Sequence, residues 1–111
     1  MERKDASTVL EKDNYVEWSV GVKSYLIDQE LWNTIESTTE PPKQEDDEAA
    51  FKYWRNMNFR ALKVIQNSCG PDTFSDIKEI NSAKIAWNTL AEKYNMLKNI
   101  NTGISLSSLS V

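Results

Sequence analysis

The chain has 111 residues, a length that suits one domain, and its 40% hydrophobic content with four Trp, four Tyr and three Phe is typical of a folded globular protein. Its formal net charge is −4, and residues 40–48 account for this excess with five acids and one lysine. Because the remainder is close to neutral, we expect no basic face and disfavour nucleic-acid binding by this fragment alone.

The residue types that most enzymes need are scarce. The chain has no histidine, the commonest general base and zinc ligand in proteins. Its three glycines are scattered, so no phosphate-binding loop is indicated. Its one cysteine, Cys69, lies on an apolar helix stripe, where burial is expected. We therefore predict that the protein is not an enzyme and has no catalytic residue, metal site or cofactor.

No secretory signal or membrane-spanning segment is predicted. The charged residues after Met1 lead into no apolar run, and uninterrupted apolar stretches are only two or three residues long. The expected location is intracellular and cytoplasmic, without membrane contact.

Residues 1–12 are polar and are predicted to form a flexible N-terminus. Asn14 and Glu17 then fit a capping box, in which two side chains bind free backbone N–H groups at the start of a helix. A helix over 14–28 is predicted because its apolar positions follow a 3.6-residue period. These positions are Tyr15, Trp18, Val22, Tyr25 and Leu26. A short further helical turn is predicted around Leu31, Trp32 and Ile35.

A connector over 36–45 separates this region from a longer helix. Pro41 and Pro42 exclude helix there, and the acids that follow suit a helix N-terminus. The helix is predicted to run from Asp46 to Ser68, where Gly70 and Pro71 end it. Its core stripe comprises Phe51, Trp54, Asn58, Ala61, Leu62, Ile65 and Cys69.

Two shorter helices complete the predicted domain. Asp72 is expected to cap the first, which carries Phe74, Ile77 and Ile80. Ser82 is expected to cap the second, whose apolar face comprises Ala83, Trp87, Leu90 and Tyr94. Residues 98–111 are rich in Ser and Asn and are assigned to a tail or linker. The predicted fold is one all-α domain over 13–97, a small bundle of four to five helices.

Both long helices carry a second apolar stripe with the spacing i, i+4, i+11. The residues are Val16, Val20 and Ile27 on the first helix, and Tyr53, Met57 and Val64 on the second. A surface helix of a small bundle normally buries one stripe only. Either these helices are central and covered on two sides, or the second stripes stay exposed and bind another chain. The six residues are therefore candidate interface residues.

Three blocks of the sequence, in order, resemble the Gag polypeptide of copia-type LTR retrotransposons. The first comprises Asn14-Tyr15, Trp18, Tyr25-Leu26 and Leu31-Trp32. The second comprises Trp54, Ala61-Leu62, Ile65 and Ser68, and the third is the segment from Ser82 to Tyr94 with Trp87 and Leu90. The resemblance covers roughly residues 8–95. These motif residues are aromatic or apolar at helical spacing, so we interpret them as core positions.

The resemblance implies a fold like a capsid N-terminal domain that assembles with copies of itself. It also implies a plant source, either an active element or a host protein that keeps the domain, for example ahead of ankyrin repeats. The basic region and the zinc knuckle of Gag are not in this sequence, so RNA packaging by this fragment is not expected.

Three functions are compatible with the sequence. The favoured one is a non-enzymatic, homo-oligomeric assembly module. The second is a domesticated adaptor that keeps the fold but binds a host protein instead. The third, disfavoured by the acidic charge, is RNA binding through Arg55, Arg60 and Lys63 with exposed aromatic side chains.

Overall fold

The computed structural model describes residues 9–11 and 13–95, and its regular structure is helical. Five α-helices follow one another, and the last continues directly into a π-helical turn, Ala91–Asn95. They are α1 (Tyr15–Asp28), α2 (Trp32–Glu36), α3 (Glu48–Asn67), α4 (Pro71–Ile77) and α5 (Ala83–Leu90). Over the described ranges the prediction of a small all-α bundle is therefore confirmed. In the same ranges, Leu10 and Cys69 form an isolated β-bridge.

Two helix starts follow directly from local side-chain chemistry. The Asp47 carboxylate accepts a hydrogen bond from the Ala50 N–H at 3.0 Å, so α3 begins at Glu48, two residues later than predicted. The Ser82 hydroxyl accepts from the Ile85 N–H at 3.1 Å, which confirms its predicted capping role.

Two other predicted capping bonds are not formed. Asn14 precedes α1 but makes no capping bond: its amide donates to the Val9 carbonyl at 2.9 Å and accepts from the Glu11 N–H at 2.7 Å. The helix α4 begins at Pro71 after Gly70, one residue before the predicted cap Asp72. Proline suits that first position because its missing N–H has no helical partner to lose.

The N-terminal segment 9–11 packs into the domain. Leu10 is fully buried, its N–H donates to the Ser68 carbonyl at 2.9 Å, and its own carbonyl accepts from the Thr73 hydroxyl at 3.0 Å. The folded unit therefore begins at least as early as Val9, within the range assigned to a flexible terminus. Residues 1–8 and the proposed tail 98–111 lie outside the described residues.

The core lies between α3, which packs on α1, α2 and α5, and the shorter helices around it. Its buried apolar side chains come from every element: Leu10, Trp18, Val22, Leu26, Leu31, Ile35, Ala61, Leu62, Ile65, Ile77, Ala83, Ala86, Leu90 and Tyr94. Three further family-motif residues, Tyr15, Trp32 and Trp87, are partly buried against this core. Trp54 is half-buried on α3, and Tyr25, expected in the core stripe of α1, is exposed.

Three tryptophans join α1, α2 and α5. The Trp18 ring stacks on Trp87 with centroids 5.7 Å apart, and Trp32 meets Trp87 edge to face at 5.2 Å. The Trp18 indole N–H donates to the Ser68 carbonyl at 2.7 Å, so both its apolar and its polar parts are satisfied. This cluster sets the rotation of α1 about its own axis.

Asn58 is a buried polar residue in the middle of α3. Its amide N–H donates to the Asn81 carbonyl at 2.8 Å, and its amide oxygen accepts from the Ala83 N–H at 2.7 Å. One side chain thus satisfies two backbone groups at the start of α5 and fixes that helix against α3.

Asp76 of α4 holds the π-helical turn. One carboxylate oxygen accepts from the Tyr94 hydroxyl at 2.7 Å, and the other accepts from Lys93 Nζ at 3.0 Å. Partial burial acts to raise the pKa of Asp76, but the hydrogen bonds from Tyr94 and Lys93 and the Lys93 charge outweigh it and hold the pKa below its usual value. Burial and the bond to Asp76 raise the pKa of Tyr94.

Replacing Asn58 should destabilise the fold strongly. We expect Asn58→Leu to lower the free energy of unfolding by about 2–4 kcal/mol, because it leaves the buried Ala83 N–H without its acceptor. The matched control is Asn56→Leu, an exposed position on the same helix, with an expected change within about 0.5 kcal/mol. Urea denaturation followed by circular dichroism measures both, and equal effects would contradict this role of Asn58.

The Asp76 interactions should make part of the stability depend on pH. The pKa of Asp76 is lower in the folded than in the unfolded chain, so its contribution is present above the unfolded pKa of about 3.9 and is lost as pH falls through the folded value. We expect Asp76→Asn to cost about 1 kcal/mol at neutral pH and progressively less towards about pH 3. Urea midpoints of both proteins across this range test it, and a constant difference would refute the linkage.

Candidate interaction surfaces

The helix α1 presents opposite faces to the core and to solvent. Its buried residues, Trp18, Val22 and Leu26, lie on one side. On the other side lie Val16, Val20 and Ile27, which are 43%, 62% and 53% exposed. Their spacing places all three on one line about three turns long, because each step of four or seven residues returns close to the same side of a helix. We call these three residues the outer α1 stripe.

The second predicted stripe, on α3, is divided by the fold. Tyr53 is 67% exposed, whereas Met57 and Val64 are partly buried and pack against the core. Met57 and Val64 therefore lie towards the interior of the domain, unlike Tyr53. Of the six candidate interface residues, the structure leaves four on the surface, three of them together on α1.

A cationic face on α3 contradicts the expectation that no basic face exists. Residues 49–71 contain two lysines, two arginines and no acid. All four cations are exposed, together with Phe59 at 55%. The spacing 52, 55, 59, 60, 63 places them on the side of the helix away from the core. We call Lys52, Arg55, Phe59, Arg60 and Lys63 the cationic α3 face.

Three of these four cations were named from the sequence, but they were not expected to form a basic face, because that expectation used the net charge of whole segments. The informative signal was the absence of Asp and Glu between Glu48 and Asp72, a stretch in which Lys and Arg recur at helical spacing. The three cations of the RNA-binding hypothesis all belong to this face.

Residues 40–48 hold the five acids noted above and lie at the N-terminal end of α3, and the last of them, Glu48, is the first residue of that helix. We call residues 40–48 the acidic connector. A turn precedes the helix, in which the N–H groups of Asp46 and Asp47 both donate to the Lys43 carbonyl, at 3.1 and 3.0 Å. All five carboxylates of the connector are exposed. Within the described part of the chain, no group of three or more potential ligand residues is arranged to hold a metal ion.

Cys69 is a poor nucleophile. Burial raises the pKa of its thiol, and the nearby charge of Asp76 acts in the same direction, against a hydrogen bond with Thr73. The thiol donates to the Ile65 carbonyl at 3.3 Å, one helical turn away. Its position is that of a structural residue at the end of α3.

These features define a class of protein: a small all-α domain whose chemistry lies in its outer helix faces. A family model described as the gag-polypeptide of LTR copia-type matches residues 22–110, which is well over half of the chain. The protein therefore belongs to the copia-type Gag family, as the sequence blocks suggested. No curated protein and no solved structure matches the chain significantly.

The matched range differs at both ends from the predicted one. It begins at Val22, after the Asn14-Tyr15 and Trp18 landmarks, and it continues beyond residue 95 into the part assigned to a tail or linker. Domains of this family are structural and non-catalytic, which directs attention to the surfaces described above.

Introducing charge should affect stability differently on the two halves of the predicted interface, the α3 half and the α1 half. Met57→Asp with Val64→Asp places two carboxylates against the core, so we expect a loss of about 3 kcal/mol or more of unfolding free energy. Val20→Glu with Ile27→Glu alters exposed positions on either side of Lys23, and the expected change is below about 1 kcal/mol. Thermal denaturation by circular dichroism distinguishes them, and similar melting temperatures would show that the assignment of core and surface is wrong.

Proposed function

We propose that this domain is a non-enzymatic, capsid-like assembly module that binds copies of itself through the outer α1 stripe. The observation that carries the proposal is the position of Val16, Val20 and Ile27, three aliphatic side chains in line on the solvent side of α1. Membership of the Gag family supports the same role.

The composition of α1 supports contact with an apolar surface. Between Glu17 and Asp28 the helix carries one charged residue, Lys23. A helix that faces only water normally has a polar outer side, because exposed aliphatic groups gain nothing from solvent. The absence of charge along the stripe leaves little desolvation cost when another protein covers it.

The size of the stripe indicates a weak individual contact. Three half-exposed aliphatic side chains from each of two copies contribute roughly 1 kcal/mol apiece when covered. Association opposes this gain with about 4–15 kcal/mol of lost rotational and translational freedom. A single pair is therefore short-lived, and stable complexes require several contacts per copy. Such weak, repeated contacts are the kind from which multivalent assemblies gain their stability.

The adaptor hypothesis uses the same surface. A host protein that offers an apolar groove or helix would cover the outer α1 stripe in the same way, and the domain would then be monomeric on its own. The oligomeric state in solution separates the two functions. Location follows from neither; over the described residues, no helix combines the length and apolarity that a bilayer crossing requires.

The test is the molar mass of the full chain by light scattering over a concentration series. We expect the wild type to gain mass with concentration, and Val20→Glu with Ile27→Glu to remain a folded monomer, because paired charges on the stripe must be desolvated on contact. The matched control is Ile85→Glu on α5, where an isoleucine has almost the same exposure, 56%. It should assemble like the wild type.

A wild type that stays monomeric at every concentration would reject self-assembly and leave the adaptor function. Equal effects of the α1 and α5 variants would instead show that assembly responds to charge in general and does not use the outer α1 stripe.

A further inference from the structure

We propose that the cationic α3 face binds the acidic connector of a second copy, which gives the domain a head-to-tail contact in addition to the outer α1 stripe. The inference rests on the proposed function, because it requires copies that associate. The surface is a different one, and the partner is a second copy of this chain because the charges of the two surfaces are complementary.

The cationic α3 face has the composition of a docking surface. Four cations share one side of α3 with the exposed Phe59, so the face combines apolar area with charge, as many protein interfaces do. Lys52 makes an ion pair with Glu48 at 3.5 Å, but both side chains are more than 60% exposed. Such an exposed pair within one helix is weak, so Lys52 can exchange it for another carboxylate.

The acidic connector is the complementary surface. It supplies five carboxylates and one lysine against four cations, so the two net charges, −4 and +4, are equal in size. Pro41 and Pro42 restrict its backbone, and the two bonds to the Lys43 carbonyl hold the turn before α3. A preformed acidic loop loses little conformational freedom on binding.

Within one chain the connector reaches only the near end of the cationic face, where Glu48 pairs with Lys52. Glu48 begins α3, and Arg60 and Lys63 lie about 18–22 Å further along at 1.5 Å per residue. This distance is about two Debye lengths at physiological salt, so the two charges remain separate within one molecule. A second copy brings opposite charges together without any rearrangement of the helix.

A second copy fits the cationic face better than RNA does. The chain as a whole has a net charge of −4, and Lys52 at the near end of the cationic face lies beside the acidic connector, so a polyanion laid along the whole face meets repulsion at that end. A loop of five carboxylates meets the cations without bringing a continuous negative backbone beside the connector. The contact joins two different surfaces, so it leaves one of each unused and can propagate from copy to copy.

The experiment is a charge exchange between the two surfaces, measured by sedimentation velocity and light scattering on the full chain. One variant carries Arg55→Glu with Lys63→Glu, a second carries Glu45→Lys with Asp46→Lys, and a third carries all four changes. Asp47 stays unchanged because it caps α3, and Glu48 stays unchanged because it pairs with Lys52. Lys78→Glu, a charge reversal at the exposed position just after α4, is the control.

We expect each two-residue variant to raise the apparent dissociation constant by at least about tenfold, because like charges then face each other. The four-residue variant and an equimolar mixture of the two two-residue variants should both recover association, and about 1 M NaCl should weaken it. The control should behave as the wild type.

Association that is unaffected by the charge changes but abolished by Val20→Glu with Ile27→Glu would overturn this inference and leave the proposed function standing. A wild type that never associates would overturn both. Fluorescence anisotropy with a labelled single-stranded RNA tests whether the cationic face binds RNA instead. The face would be assigned to RNA if the wild type binds tightly, Arg55→Glu with Lys63→Glu abolishes that binding, and the four-residue variant does not recover self-association.

Discussion

The position of Trp18 determines which side of α1 is buried and which side faces solvent. Its ring stacks on Trp87, and its indole N–H binds the Ser68 carbonyl, which also accepts the N–H of Leu10. One carbonyl at the end of α3 therefore holds the N-terminal segment and α1 together. Residues two positions from Trp18 lie on the far side of the helix, so burial of this tryptophan forces Val16 and Val20 outward.

The small size of the domain explains why the two long helices differ. The helix α3 contacts α1, α2 and α5, and Met57 and Val64 on its flank are partly buried against the core. The helix α1 lies at the edge of the bundle, and the short helices offer nothing to cover its outer side. A chain of this length buries only part of its apolar surface, so some of it remains exposed.

Apolar and charged surfaces have different roles in the association proposed for this domain. The outer α1 stripe supplies hydrophobic free energy without directional preference. The cationic face and the acidic connector supply less net affinity but select orientation, because misaligned copies place like charges together. The separation of charge along one helix, negative at the N-terminus of α3 and positive along its outer side, is the feature that makes such selection possible.

The sequence by itself determined the helices, because their periodicity and their breaks are local properties. The apolar spacing of α1 and α3, the break at Pro41-Pro42 and the cap at Ser82 each depend on residues within a few positions of one another. Three ordered blocks of aromatic residues were also sufficient to indicate the Gag family. The second stripe of α1 was visible in the same periodicity.

Where the sequence allowed a side chain more than one environment or hydrogen-bond partner, only the tertiary structure decided between them. Asn14 could cap α1 or bind the segment before it, and it binds Val9 and Glu11 in a segment that Leu10 attaches to the end of α3. Met57 and Tyr53 lie on the same stripe, but neighbouring helices cover only the first of them. The expectation of no basic face was wrong because net charge is a sum, whereas a surface depends on which side of a helix each charge occupies.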